Sequence, residues 1–183
     1  GFTKPISINF PSSSFGYMTI KESVNDKELA SLGYGYGITI SPFQIASAYS
    51  VFANEGILKD FKLLKNQEVT SKQIISSDTA NHILDALRIA VKDGTGKAAN
   101  INGFSEGGKT GTVHQIKRGS GYAEDSYRAS FIGIAPLNTK SLTIFVSIDE
   151  PGLNSYSGGA VAAPVFAKIA ESSLNYLGYF QDE

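Results

Sequence analysis

Apolar and polar positions change their period along this chain, and each change marks an element. After Ser41-Pro42, the residues Phe43, Ala46, Tyr49, Ser50 and Ala53 recur at helical spacing. Ser41 suits an N-cap, Pro42 suits the first helical position, and Gly56 supplies a stop. A second helix is predicted from about Ser77 to Asp93, with Ile83, Leu84, Leu87 and Val91 on one stripe and Gly94 as its end. Between the two, Ile57 to Thr70 reads as an irregular or short-strand connection. The period then shortens to two residues, which predicts strands over Gly108–Ile116, Tyr127–Ala135 and Leu142–Ile148. The polar, glycine-containing stretch Lys117–Ser126 reads as a mobile loop. A last helix starts near Pro164, carries Val165, Phe166, Ile169, Ala170 and Leu174, and stops at Gly178. Three consecutive strands with short connections make an antiparallel meander rather than β-α-β crossovers. With helices before and after the meander, the fold class is α+β.

At 183 residues and 42% hydrophobic, the chain can bury a core as one domain. Gly1 to Phe10 enters directly into an alternating, strand-like pattern, so the sequence is expected to begin inside a domain. Sixteen basic and 17 acidic residues give a net charge of −1, which offers no footprint for nucleic acid. No apolar run approaches the roughly 18 residues that a membrane-spanning helix needs, and no signal or transit peptide is visible. The absence of Cys excludes disulfides and thiolate metal sites. His82 and His114 are too few and too far apart for a metal cluster. No metal or cofactor is expected.

The most informative stretch is Gly107-Gly108-Lys109-Thr110-Gly111-Thr112-Val113. On a strand, Lys109 and Gly111 share one face while Thr110 and Thr112 share the other. A glycine between two threonines lets a ligand approach the backbone closely. Lys-Thr-Gly is also one signature of serine acyl-transferases such as penicillin-binding proteins and class A β-lactamases, although a tripeptide alone is a weak signal. A rival pattern overlaps it. Gly103-Phe104-Ser105-Glu106-Gly107-Gly108-Lys109-Thr110 matches the phosphate-binding loop G-x-x-x-x-G-K-[ST]. That loop needs a hydrophobic strand before it and a helix after it. Lys97–Asn102 lacks the apolar run, and Gly111 followed by alternating β-branched residues opposes a helix, so nucleotide binding is disfavoured.

Several blocks together resemble one family. Leu32-Gly33-Tyr34-Gly35-Tyr36-Gly37-Ile38-Thr39-Ile40-Ser41-Pro42-Phe43-Gln44-Ile45-Ala46, continuing to Ala53-Asn54-Glu55-Gly56, is similar to the segment that precedes the Lys-Thr-Gly strand in class B penicillin-binding proteins. Gly94–Ala99, Gly108–Thr112, Tyr127–Pro136 and Tyr156–Phe166 resemble the same family, in its order, across most of the chain. The likeness is nearest to the branch that cross-links septal peptidoglycan, with the elongation branch next. The family's Ser-x-x-Lys nucleophile motif occurs nowhere in this sequence. Ser7-Ile8-Asn9 and Ser23-Val24-Asn25 spell the family's Ser-x-Asn motif but fall in the strand-like opening and a polar loop, and are read as decoys. The chain is therefore expected to be the C-terminal portion of a transpeptidase domain, residues 1–183, lying after the nucleophile.

The resemblance implies a peptidoglycan D,D-transpeptidase on the periplasmic face of the bacterial inner membrane. Its serine attacks the penultimate D-Ala of a stem peptide, and β-lactams acylate the same serine. Its implied partners are stem peptides ending in D-Ala-D-Ala, β-lactams, divisome proteins and the remaining N-terminal part of the domain. By resemblance, Lys109 supplies positive charge to the proton relay, while the hydroxyls of Thr110 and Thr112 bind the ligand carboxylate. The Thr112 backbone N–H completes an oxyanion hole, and Gly111 keeps the strand open to the ligand. Tyr36, Tyr127 and Tyr156 lie where the family builds aromatic walls, although core or surface tyrosine is the plain alternative for each. His114 reads as an exposed strand residue, His82 as structural, and Arg128 as a cross-strand partner. The family's sheet has five antiparallel strands, of which this chain should supply three. The Lys109 strand should be an edge, and the outer edge of Leu142–Ile148 should be covered by a rearranged terminus, a second chain or a partner. A carboxypeptidase or β-lactamase would share the Lys-Thr-Gly strand, and a non-catalytic binding module would also lack a nucleophile.

Overall fold

The Ser41 hydroxyl accepts from the Gln44 backbone N–H at 3.3 Å, and the Gln44 side chain accepts from the Ser41 N–H at 3.0 Å. This reciprocal cap starts the central helix where the sequence places it. The computed structural model describes residues 2, 4, 14, 16–18, 24–117, 121–152 and 154–179. In chain order its elements are β1 (Tyr17–Met18), α1 (Asp26–Gly33), β2 (Ile38–Thr39), α2 (Pro42–Ala53), β3 (Ile57–Lys59), β4 (Ser71–Gln73) and α3 (Ser77–Lys92). There follow a 3-10 turn (Lys97–Ala99), β5 (Gly107–Lys117), β6 (Gly121–Ala135), β7 (Leu142–Asp149), a π-helical turn (Gly158–Ala162) and α4 (Ala163–Tyr176).

The principal sheet is antiparallel in the order β5-β6-β7. Two two-stranded pairs, β1-β2 and β3-β4, accompany it. The α+β class and the three core strands agree with the sequence reading. β5 is an edge strand, as expected. It also continues as strand through Lys117, which removes the helix a phosphate-binding loop would require after Thr110.

Helices cover both faces of the sheet. Phe131, Ala135 and Val146 point to the face carrying α4, where they pack with Phe166, Ala170 and Leu174. The Phe131 and Phe166 rings lie 4.9 Å apart at 50°, within the range of favourable aromatic contact. α3 packs against β5, while α2 touches β6 and β7.

Four expectations are corrected. Residues 121–126 belong to β6, pairing Ile116 with Tyr122 and Lys117 with Gly121, so a hairpin replaces most of the expected loop. In α2 the buried positions are Gln44 and Val51, whereas Phe43 is exposed and Ala46, Tyr49, Ser50 and Ala53 are half-buried. In α3 the buried stripe is Ala80, Leu87 and Val91, and Ile83 faces solvent. In α4 it is Ala163, Phe166, Ala170 and Leu174, with Val165 and Ile169 outward. The helix α1, capped by Asn25, was not foreseen. The opening Gly1–Phe10 lies, apart from Phe2 and Lys4, outside the described residues.

Among the described residues no strand pairs with the outer edge of β7. Among the described residues β7 therefore ends the sheet, and the cover expected for its outer edge lies outside them.

Candidate active site

Strand alternation sorts the Lys-Thr-Gly residues as the sequence requires. Thr110 and Thr112 point to the face carrying the π-helical turn, and Gly111 faces the other way, toward the Ser130 hydroxyl. Lys109 is exposed and donates to the Thr110 carbonyl at 2.9 Å. Among the described residues it makes no ion pair, so its charge is available to a ligand or a neighbouring catalytic group.

The threonine hydroxyls are already oriented by the protein. Thr112 Oγ1 accepts from the Gly158 backbone N–H at 3.0 Å. Thr110 Oγ1 lies 2.8 Å from Thr95 Oγ1. A hydroxyl has one donor and two acceptor positions, so Thr112 keeps its O–H to give to an anion. Gly158 sits directly on the strand pair, since a Cβ there would run into the Ser130 and Gly111 carbonyls. A Cβ on Gly111 would lie 2.5 Å from Ser130 Oγ. A side chain at Gly111 would thus have to displace the Ser130 hydroxyl on the neighbouring strand β6.

Beside Thr112, Tyr127 and Tyr156 stack with centroids 4.1 Å apart and planes 20° apart. His114 stands edge-on to Tyr127 at 4.3 Å and 76°, directly opposite it in the register. Tyr127 and Tyr156 therefore come together beside the motif strand, and His114, read as a plain strand residue, joins them. Tyr36 sits elsewhere, lining a concavity with Val24, Lys27, Glu28, Ser31, Leu32 and Gly37 beside α1. Arg128 pairs Asp149 through both guanidinium arms and opposite it in register, confirming its cross-strand role. That bonding raises the Arg128 pKa and lowers that of Asp149. His82 is exposed and lies 3.7 Å from Asp78, one turn away, so it is not a core residue.

Three contributors escaped the sequence reading. Thr95 and Ser130 lie within recognised blocks but show their role only through contacts across the fold. Glu106 is buried just before β5, where it accepts from Asn100 Nδ2 at 3.1 Å and the Ile101 N–H at 3.3 Å, fixing the approach to the motif. Of the Ser-x-Asn matches, Asn25 serves as the α1 cap, and Ser7-Ile8-Asn9 lies outside the described residues. A third match, Ser173-Leu174-Asn175, is embedded in α4 with Leu174 buried in the core. Among the described residues no cluster of His, Asp and Glu could hold a metal ion.

The sequence profile of the penicillin binding protein transpeptidase domain matches residues 1–171. This chain belongs to that family. It is 37% identical over 179 residues to a probable peptidoglycan D,D-transpeptidase, PbpC, of Pseudomonas aeruginosa, covering 97% of this chain and 32% of the relative. The apo transpeptidase domain of penicillin-binding protein 3 from Burkholderia pseudomallei superposes with a TM-score of 0.84 at 34% identity, over 96% of this chain and 54% of that one. Penicillin-binding protein 3 of Mycobacterium tuberculosis, solved with ampicillin, gives 0.84 at 25% identity, over all of this chain and 45% of that one. This chain thus spans about a third of the curated relative and about half of each solved one.

Proposed function

We propose that this chain is the C-terminal portion, residues 1–183, of the transpeptidase domain of a peptidoglycan D,D-transpeptidase. That enzyme cross-links stem peptides during septal wall synthesis and binds β-lactams. The observation that carries the reading is the edge strand β5, which presents Lys109, Thr110 and Thr112 beside the Tyr127–Tyr156 stack. Lys109 is a catalytic residue whose charge lowers the cost of moving a proton off the attacking serine. The Thr112 backbone N–H stabilises the oxyanion, a contribution of about 3–4 kcal/mol to barrier lowering in comparable sites. The Thr110 and Thr112 hydroxyls receive the terminal carboxylate of D-Ala-D-Ala or of a β-lactam. Gly111 lets the peptide lie along the strand edge in β fashion. Tyr127 and Tyr156 form an apolar wall for the acyl side chain. The remaining strands and the nucleophile come from the rest of the domain, and divisome proteins are the partners of the whole enzyme. Its place is the periplasmic face of the inner membrane. No helix among the described residues is long and apolar enough to cross a membrane.

The test is covalent labelling of the full-length protein with a fluorescent penicillin. Labelling of the wild type, loss of labelling in Lys109→Ala with the fold intact, and partial loss in Thr112→Val are expected. The valine variant keeps the backbone N–H, so its defect is the smaller. Wild-type labelling rates in Lys109→Ala would remove Lys109 from the site.

A further inference from the structure

Thr95 lies outside the Lys-Thr-Gly strand, in the connection that closes α3. That connection is tightly held. The Asp93 N–H donates to the Ile89 carbonyl at 2.8 Å and the Gly96 N–H to the Ala90 carbonyl at 3.0 Å. The Thr95 carbonyl is pressed so closely against Gly159 that a Cβ there would run into it, and the same Cβ would lie 3.5 Å from Thr110 Cγ2. The two threonines and the Gly158-Gly159 turn are therefore one packed unit. Within it, the Thr95 and Thr110 hydroxyl oxygens stand 2.8 Å apart.

We propose that Thr95 is a positioning residue that aims the Thr110 hydroxyl at the carboxylate of the bound ligand. The inference rests on the reading of this site given under Proposed function. Each hydroxyl carries one hydrogen. If Thr110 donates that hydrogen to a carboxylate, the Thr95–Thr110 contact is satisfied only when Thr95 donates to Thr110 Oγ1. The hydrogen-bond direction is then fixed: Thr95 O–H to Thr110, and Thr110 O–H to the anion. Such a chain polarises the second donor and removes its rotational freedom before the ligand arrives. A purely structural role fits the site less well. Thr95 is exposed and Thr110 half-buried, so water would satisfy both hydroxyls at little cost in stability.

The experiment measures second-order acylation of the full-length protein by benzylpenicillin and by its methyl ester, which lacks the anionic carboxylate. Thr95→Val is expected to slow acylation by the acid about five- to tenfold, the order of one indirect hydrogen bond to a charged acceptor. It should leave the slow reaction with the ester unchanged, at the same Tm. Thr95→Ser should restore the acid rate to within about twofold, because it keeps the donor. In a Thr110→Val background, Thr95→Val should have no further effect. Equal losses for acid and ester, or wild-type rates in Thr95→Val, would overturn the inference while leaving the transpeptidase reading in place. A wild type that benzylpenicillin fails to acylate would overturn that reading and this one with it.

Discussion

A methyl group added at Gly111 would meet Ser130 Oγ at 2.5 Å, but it would lie 3.9 Å from Ser130 Cβ. The clash is therefore with one removable atom. Gly111→Ala should destabilise the protein by about 1–3 kcal/mol, the usual cost of overpacking. Ser130→Ala in the same chain should recover most of it, as urea unfolding of the single and double variants would show. Failure of Ser130→Ala to recover stability would place the strain elsewhere. Gly158→Ala has no such remedy, because its added methyl meets backbone carbonyls. The opposite facing of Thr110 and Gly111 was legible from alternation alone. The reasons behind Gly111 and Thr95 were not, because Ser130 and Thr110 approach them only after the hairpin and the α3 connection have folded.

At the scale of elements, the period and caps located α2, α3, α4 and the three strands closely, but they named the buried stripes only in part. In α2, small and aromatic residues surround the helix, so periodicity alone did not single out Gln44. Its burial follows from its amide, which caps Ser41 and also donates to the Phe2 carbonyl at 2.6 Å. In α4, Val165 and Ile169 sit one position ahead of Phe166 and Ala170, about 100° around the helix, and Ile169 faces the groove beside β7. The length of β6 was missed because the stretch 121–126 carries no strand period in the sequence, and its start is set instead by the pairing of Gly121 with Lys117 and of Tyr122 with Ile116 across the hairpin. The register shifts between His114 and Ile116, and the Gln115 amide there reaches the Tyr127 carbonyl and Asp149 Oδ1, each at 3.4 Å. The β6–β7 pair Arg128–Asp149 gives a pH prediction at this scale. Hydrogen bonding from Arg128 lowers the Asp149 pKa in the folded state. Its stabilisation is therefore complete above the unfolded carboxylate pKa of about 3.9 and is lost as pH falls through the lower folded value. Urea midpoints of wild type and Asp149→Asn should differ by a constant amount above about pH 5 and converge in more acidic solution. A difference that grows on acidification would reverse the assigned shift.

For the whole molecule, the decisive features are a β7 edge that no strand pairs among the described residues and the groove beside it, lined by Leu142, Ile144, Ile169, Tyr176 and Leu177. The Tyr176 side chain is 90% exposed there. An apolar patch beside open backbone groups favours association, and the proposed assignment as a C-terminal portion gives it an occupant: the rest of the transpeptidase domain. Lys109, the two threonine hydroxyls and the aromatic stack are already organised in this chain, so the elements proposed to bind the ligand are present in the 183 residues. Covalent chemistry needs more. No serine in the sequence has a lysine three positions on, so the general base that would activate a nucleophile is missing from its required place. The polypeptide expressed alone should therefore remain unlabelled by a fluorescent penicillin after denaturing electrophoresis, under conditions that label the full-length protein stoichiometrically. It should also self-associate with rising concentration in sedimentation experiments, and Ile169→Lys should reduce that association. Stoichiometric, denaturation-resistant labelling of the 183-residue chain would mean that one of its own serines is an activated nucleophile, and the assignment of the chain to the part of the domain beyond the nucleophile would fall.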